Sequence, residues 1–266
     1  MTRLDVLVAD GTSIGAEVRG NGDETVVLVH GSCGSRADWD FVAPLLEDRF
    51  AVVTMDRRGR GWSIDGGKDH SIEVESADVA AMVGAFEGRV HLVGHSYGAL
   101  CALGAAASAN VMSLVLYEPP AAGEHVPADL QATVNDLVAS GRLDEATALF
   151  LEKVAAIPRQ EIEVIRSHQP AWNRLLDGMR LVPREMAAVQ TWDPELIQTV
   201  RAPTLILVGE RTSAPIYTDG LPHVLGRLAQ AHVEEIGGQG HMAVGFDPSQ
   251  VAQRLRHFIG RSRRPH

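Results

Sequence analysis

The segment Gly94-His95-Ser96-Tyr97-Gly98 constrains this chain more than any other stretch of it. It follows the short apolar run Val90-His91-Leu92-Val93 and precedes a helical run that begins at Ala99. A serine between glycines at a strand-to-helix junction sits on a sharp, strained turn. Its hydroxyl is presented above a sheet, at the positive end of the following helix. The five-residue pattern alone is weak in a chain with 26 glycines, and the flanking strand and helix are what make it specific.

The rest of the chain supplies a sheet for such a turn. Residues 3–9 and 12–19 alternate apolar and polar side chains around Asp10-Gly11 and read as an antiparallel hairpin. Val26 to Val29, Ala51 to Met55, Val90 to Val93, Val111 to Leu116 and Leu205 to Val208 are short, β-branched apolar runs, each followed by polar residues or glycine. Such runs suit strands of a parallel sheet covered on both faces. Helical patterns at about 38–48, 73–86, 97–109, 218–229 and 247–259 alternate with them, and 232–236 makes a last strand at an edge. The alternation predicts an α/β fold with a mostly parallel, doubly wound sheet. It stops between Pro119 and Val200, where helical stretches near 127–140, 143–155, 159–167, 171–181 and 184–191 follow one another without a strand signal. The expected organisation is a core of residues 1–119 and 200–266. Residues 120–199 form a helical cap over the carboxyl ends of the strands, where open α/β sheets bind ligands.

A serine hydroxyl at neutral pH needs a base within hydrogen-bond reach, and the base needs an acceptor to orient it. His241, in the glycine-rich loop Gly237-Gly238-Gln239-Gly240-His241 between the last strand and the last helix, is the candidate base. An acyl-transfer intermediate also needs two backbone N–H donors for its oxyanion. Tyr97, directly after the serine, supplies one. The loop His30-Gly31-Ser32-Cys33-Gly34, after the strand 26–29, places Ser32 for the other.

Taken together, these segments identify the chain as resembling the α/β-hydrolase superfamily, in its serine-nucleophile branch with a helical cap, over nearly its whole length. Asp56-Arg57-Arg58-Gly59-Arg60-Gly61-Trp62-Ser63 resembles the D-x-R-G-x-G-x-S loop of that superfamily, and Pro203 to Gly209 its penultimate strand. The 56–63 loop is expected to shape the rim of the site, and His95 to point into the sheet. The resemblance implies Ser96 as nucleophile, His241 as base, and Ser32 and Tyr97 as oxyanion donors.

One position departs from the family pattern. The triad's acid usually stands three residues after the glycine ending the penultimate strand, and here Gly209-Glu210-Arg211-Thr212 places a threonine there. Three carboxylates are candidates in its place, of which Glu118 leads and Glu210 and Asp219 are the alternatives. Glu118 ends the strand at 111–117, where relatives such as the haloalkane dehalogenases carry their acid. Glu210 otherwise reads as an ion-pair partner for an arginine, and Asp219 as an acid opening the helix at 218–229. Serine rather than aspartate at position 96 counts against the dehalogenase and epoxide hydrolase branches.

Composition narrows the partners. With 24 Lys and Arg against 34 Asp and Glu, the net charge is −10, which argues against wrapping nucleic acid. The basic close Arg261-Ser262-Arg263-Arg264-Pro265-His266 reads as a solvated tail. Cys33 and Cys101 are too few for a disulfide scaffold. The alternating N-terminus lacks the apolar core of a signal peptide and no run approaches the ~20 apolar residues of a membrane span, so a cytoplasmic protein without a membrane partner is expected. No His/Cys/carboxylate cluster suggests a metal. With Lys68 and Lys153 the two lysines and no phosphate-type glycine loop, neither a cofactor nor a nucleotide is expected. The expected partner is a small-molecule substrate; oligomeric state carries no signal.

Trp172, Trp192, His168, Met179 and Met186 in the helical insertion either line an apolar pocket or pack its own helices. The leading reading is a serine hydrolase that cleaves an ester, thioester or lactone of a small, mostly apolar molecule through an acyl-enzyme. A non-hydrolytic enzyme on the same fold (a C–C lyase, cyclase or decarboxylase) and a ligand-binding pseudoenzyme remain as alternatives.

Overall fold

A computed structural model describes residues 1–66, 70–121, 126–219 and 221–262. Lys68, residues 122–125 of the segment leading into the helical insertion, and the basic tail beyond Ser262 lie outside the described residues. Among the described residues, eight strands form one sheet: β1 (Thr2–Leu7), β2 (Ser13–Arg19), β3 (Glu24–Val29), β4 (Ala51–Met55), β5 (Arg89–His95), β6 (Ser113–Tyr117), β7 (Thr204–Gly209) and β8 (Ala231–Ile236). Their order is β1-β2-β4-β3-β5-β6-β7-β8. β1 and β2 pair antiparallel, as do β2 and β4, and every later pair is parallel.

β3 is buried along its whole length, as its uninterrupted Thr-Val-Val-Leu-Val run requires. Alternate residues serve opposite faces. Val27 and Val29 join Leu92, Leu114, Leu116 and Ile206 in the core under helices α1 (Ile72–Gly84) and α2 (Tyr97–Ala106). Val26 and Leu28 join Val93, Val115, Leu205 and Leu207 in a second core that Trp39, Phe50, Leu255 and Phe258 complete.

Among the described residues, five α-helices run between β6 and β7: α3 (Ala128–Ala139), α4 (Leu143–Lys153), α5 (Arg159–Ser167), α6 (Gln169–Met179) and α7 (Val182–Thr191). They share a third core that includes Phe150, Ile162, Trp172, Leu175, Met179 and Met186. After β7 come α8 (Pro215–Thr218) and α9 (Leu221–Arg227), and after β8 α10 (Ala243–Phe246) and α11 (Pro248–Arg261). Asp247 caps α11 by accepting from the Gln250 N–H at 3.2 Å, with Pro248 at the first helical position. No described helix is long and apolar enough to cross a membrane.

Three elements differ from the sequence-based expectation. Residues 38–48 form no α-helix but two 3-10 turns, Arg36–Trp39 and Ala43–Leu45. Pro44 has no N–H for the carbonyl of Asp40 and so breaks any helix crossing it. The stretch 218–229 is divided into α8 and α9, so Asp219 stands at the C-terminal end of α8 rather than opening a helix. β6 begins at Ser113 rather than Val111.

Candidate active site

The strand order reverses direction at β3, which has β4 on one side and β5 on the other. Ligands bind at such a switch point, beyond the carboxyl ends of the strands. β3 runs there into His30-Gly31-Ser32, and β5 into Ser96. Ser96 has φ 54° and ψ −127°, a left-handed conformation that side chains other than glycine rarely adopt. A Cβ on Gly98 would collide with the His30 carbonyl oxygen, so the glycine lets the two loops approach.

β6 brings Glu118 up beside this turn, and the loop after β8 brings His241. Their side chains meet: His241 Nδ1 stands 2.6 Å from Glu118 Oε2. The other Glu118 oxygen accepts the Gly209 N–H at 2.7 Å and the Thr212 hydroxyl at 2.5 Å. Burial pushes the Glu118 pKa up, but the hydrogen bond and charge of His241, with the Thr212 and Gly209 donors, outweigh it. The carboxyl is held below its ordinary range. An ionised Glu118 accepts the Nδ1 proton, which leaves Nε2 of a neutral imidazole as an acceptor. The threonine in the family's usual acid position is thus a donor to a carboxylate carried by the neighbouring strand.

The other two carboxylates are elsewhere. Glu210 is exposed and its Oε2 accepts the Gly238 N–H at 2.5 Å, shaping the histidine loop rather than pairing with an arginine. Asp219 accepts from the Thr218 hydroxyl at 3.2 Å, also exposed.

The main-chain N–H of Ser32 and that of Tyr97 have no acceptor among the described residues. At Tyr97 this follows from its place at the first position of α2. The Ser32 N–H is aimed by what holds the peptide before it. The Gly31 carbonyl oxygen faces Nδ1 of His30 at 2.9 Å and Nη2 of Arg57 at 3.0 Å, and in a trans peptide the N–H points the opposite way. His30 Nε2 accepts the Arg57 N–H at 3.1 Å, so the His30 proton sits on Nδ1, donated to Gly31.

Arg57 is the centre of a buried network that sequence reasoning missed. Besides Gly31 it donates to the His30 carbonyl at 3.1 Å, to Glu75 on α1 at 2.7 Å and to Glu185 on α7 at 2.6 Å. Its guanidinium lies 4.6 Å from the centre of the Tyr97 ring. Arg60 adds a second bond to Glu185, also 2.6 Å. The 56–63 loop therefore does more than shape a rim. It supports both N–H groups and ties them to the helical insertion through Glu185.

His95 does not point away into the sheet. Its Nε2 lies 2.9 Å from the His241 carbonyl oxygen, and its ring is stacked on Tyr117 at 4.9 Å between centroids. Tyr117 in turn donates its hydroxyl to the Gly240 carbonyl. Both side chains fix the histidine loop. A second omission is Tyr217 on α8, whose hydroxyl lies 3.1 Å from His241 Nε2. No motif in the sequence marks it.

These groups open on one cavity of about 620 Å³, walled by Ser32, Ser96, Tyr97, Tyr217 and His241 at one end. Phe150, Leu151, Val154, Ile165, Leu175 and Met186 from the insertion make much of the remainder apolar. Of the five residues singled out in the insertion, His168 and Met186 line the cavity. Trp172 and Met179 pack the insertion's own core, with the Trp172 indole N–H donating to Asp144 at 2.8 Å, and Trp192 packs against the sheet core.

Asp38 also faces the cavity. Burial pushes its carboxyl up to about 7, against the opposing effects of a Ser35 backbone hydrogen bond and the Arg174 guanidinium. A carboxyl raised on folding binds more protons in the native state between its unfolded value and about pH 7. Its contribution to stability is complete at low pH and lost as pH rises through that window. Asp38→Asn is therefore expected to match the wild type near pH 3 and to exceed it at pH 8 by on the order of 2 kcal/mol. Chemical denaturation at the two pH values measures this; an unchanged difference contradicts it.

Comparisons with known proteins agree with this architecture. The sequence profile of the Alpha/beta hydrolase family matches residues 26–254. An alpha/beta hydrolase from Sphaerobacter thermophilus superposes with a TM-score of 0.82 at 29% identity, covering 96% of this chain and all of that one. A thermophilic esterase from Thermogutta terrifontis shares the fold, with a TM-score of 0.72 at 20% identity over 99% of this chain and 100% of the other. The N-formylmaleamate deformylase of Pseudomonas putida is 36% identical over 108 residues, 39% of this chain and 40% of the deformylase's own length. On the strength of the profile match across both the strand order and the Ser96 turn, the chain belongs to the alpha/beta hydrolase family.

Proposed function

We propose that the protein is a serine hydrolase acting on an ester, thioester or lactone of a small, mostly apolar molecule. The observation that carries this reading is the 2.6 Å bond between Glu118 and His241 on the wall of the cavity that Ser96 enters. In this reading Ser96 attacks the substrate carbonyl carbon and His241 receives the Ser96 proton. The ionised Glu118 balances the imidazolium that forms. The Ser32 and Tyr97 N–H groups donate hydrogen bonds to the carbonyl oxygen as negative charge develops on it. The leaving alcohol or thiol takes its proton from His241, and water then releases the acid from Ser96 by the same steps in reverse. Helices α3 to α7 act as the cap that supplies the apolar wall.

A fluorophosphonate tests the nucleophile. Stoichiometric labelling of wild-type protein at Ser96, and none of Ser96→Ala, is expected. One observation favours a second reading, a lyase or cyclase in which histidine moves a substrate proton and serine stays unacylated: Nε2 of His241 is hydrogen-bonded to the Tyr217 hydroxyl and not to Ser96. A Ser96 that fluorophosphonate leaves unmodified would support that reading.

A further inference from the structure

The Ser32 N–H is only as well aimed as the peptide that carries it. That peptide lies against the nucleophile, since a Cβ on Gly31 would stand 3.0 Å from the Ser96 Cβ. Its carbonyl accepts from two donors, Nδ1 of His30 at 2.9 Å and Nη2 of Arg57 at 3.0 Å, and the His30 ring is itself held by the Arg57 N–H at 3.1 Å. Both holds therefore run through Arg57. Nη2 carries two hydrogens, and besides Gly31 it donates to Glu185 Oε1 at 2.6 Å. One oxyanion donor thus depends on a carboxylate that belongs to the helical insertion.

Docking the insertion does not require this arrangement. Arg57 and Glu185 are each 1% exposed, and a buried ion pair adds little stability where apolar side chains could fill the same space. What the charges supply is direction. Arg60 bonds to the same Glu185 oxygen at 2.6 Å and Glu75 takes the other arm of Arg57 at 2.7 Å, so two arginines balance two glutamates around the Gly31 carbonyl. Burial pushes the Glu185 carboxyl up, but the charges of Arg57 and Arg60 outweigh it and hold the group below its ordinary range. Its bond to Nη2 is therefore charge-assisted at neutral pH. The same helix lines the cavity with Met186 and Val189, so the wall facing the substrate and the anchor of the oxyanion donor are one element.

We propose that Glu185 is a positioning residue: through Arg57, helix α7 holds the Ser32 N–H in the direction that receives the oxyanion. This rests on the serine-hydrolase reading above. As Ser96 Oγ bonds to the carbonyl carbon, its proton goes to His241 and the carbonyl π pair to the oxygen, where the donor must already point. Without Glu185, Arg57 keeps Glu75 but its Nη2 is free to leave Gly31. The loss falls on the charged intermediate and spares the ground state, which the apolar wall binds.

Glu185→Ala separates the two. It is compared with the wild type in kcat/KM for p-nitrophenyl acetate and in affinity for two ligands. One is hexyl trifluoromethyl ketone, which Ser96 converts to a hemiketal oxyanion; the other is the alcohol made by reducing it, which fills the same cavity without an oxyanion. In the variant kcat/KM should fall by on the order of 10²-fold and ketone affinity by about the same factor, with alcohol affinity within about twofold. Equal weakening of ketone and alcohol, the mark of a loosened insertion, overturns the positioning role, as does an unchanged ketone affinity. Should Glu185→Ala not fold, Arg57→Lys decides by the same comparison, because a lysine ammonium keeps the charge but cannot span Glu75, Glu185 and Gly31 together. A wild type that binds ketone no better than alcohol and takes no fluorophosphonate label on Ser96 instead overturns the serine-hydrolase reading, and the role of Glu185 with it.

Discussion

Ser96→Ala is expected to lower kcat for p-nitrophenyl acetate by on the order of 10⁴- to 10⁶-fold, because in the proposed mechanism it removes the atom that forms the covalent bond. The melting temperature should stay within about 2 °C of the wild type, since the substitution touches nothing that holds the fold. Ser96 makes no side-chain cap bond to α2, and the φ of 54° is no worse for alanine than for serine. The residual rate reports what the oxyanion donors and the cavity contribute without the nucleophile. Kinetics with both proteins at matched concentration, alongside thermal melts, measure the two halves of this expectation. A variant that retains even a tenth of the activity contradicts it.

Glu118→Gln is expected to be nearly as damaging, lowering kcat by on the order of 10⁴-fold. The reason lies in the two donors on Oε1. The Gly209 N–H and the Thr212 hydroxyl oblige the glutamine to present its carbonyl oxygen to them. Its NH₂ then faces Nδ1 of His241, which must become the acceptor, and the imidazole proton is driven to Nε2. A histidine in that tautomer cannot take a proton from Ser96. Glu210→Gln keeps an acceptor for the Gly238 N–H and is expected to change kcat by less than about twofold. The opposite order in the two variants would move the acid from the end of β6 to the loop after β7.

Much of this molecule is written locally. The Ser96 turn, the parallel strands and the helices of the insertion all follow from short-range patterns of glycine and apolar residues. So does the capped start of α11 at Asp247-Pro248. Where a local rule was overlooked, at Pro44, a helix was expected and 3-10 turns are found. Glu118 could be nominated because relatives such as the haloalkane dehalogenases carry their acid after the same strand. That Glu118, the leading candidate, and not Glu210 or Asp219 reaches His241 is decided by the loops after β7 and β8.

What sequence could not reveal is the support around these residues. Arg57 reaches His30 and Gly31, Glu75, and Glu185, in three separate parts of the chain, and no spacing encodes such convergence. Tyr217 follows Pro215 in a helix of four residues with no pattern of its own, and becomes significant only when stacked on His241. Trp172 and Trp192 show the converse. Aromatic residues in an insertion suggest a pocket, but a large side chain gains as much from burial in a core, and Trp172 is found in the insertion's own core and Trp192 against that of the sheet.

The central claim is that Ser96 becomes acylated. Wild-type protein mixed with p-nitrophenyl acetate, quenched in acid during the burst and digested for mass spectrometry, tests it most directly. An acetyl group on the peptide bearing Ser96, formed in step with the burst and lost as turnover proceeds, is the predicted result. Steady release of p-nitrophenol with Ser96 unmodified at every quench time would contradict it.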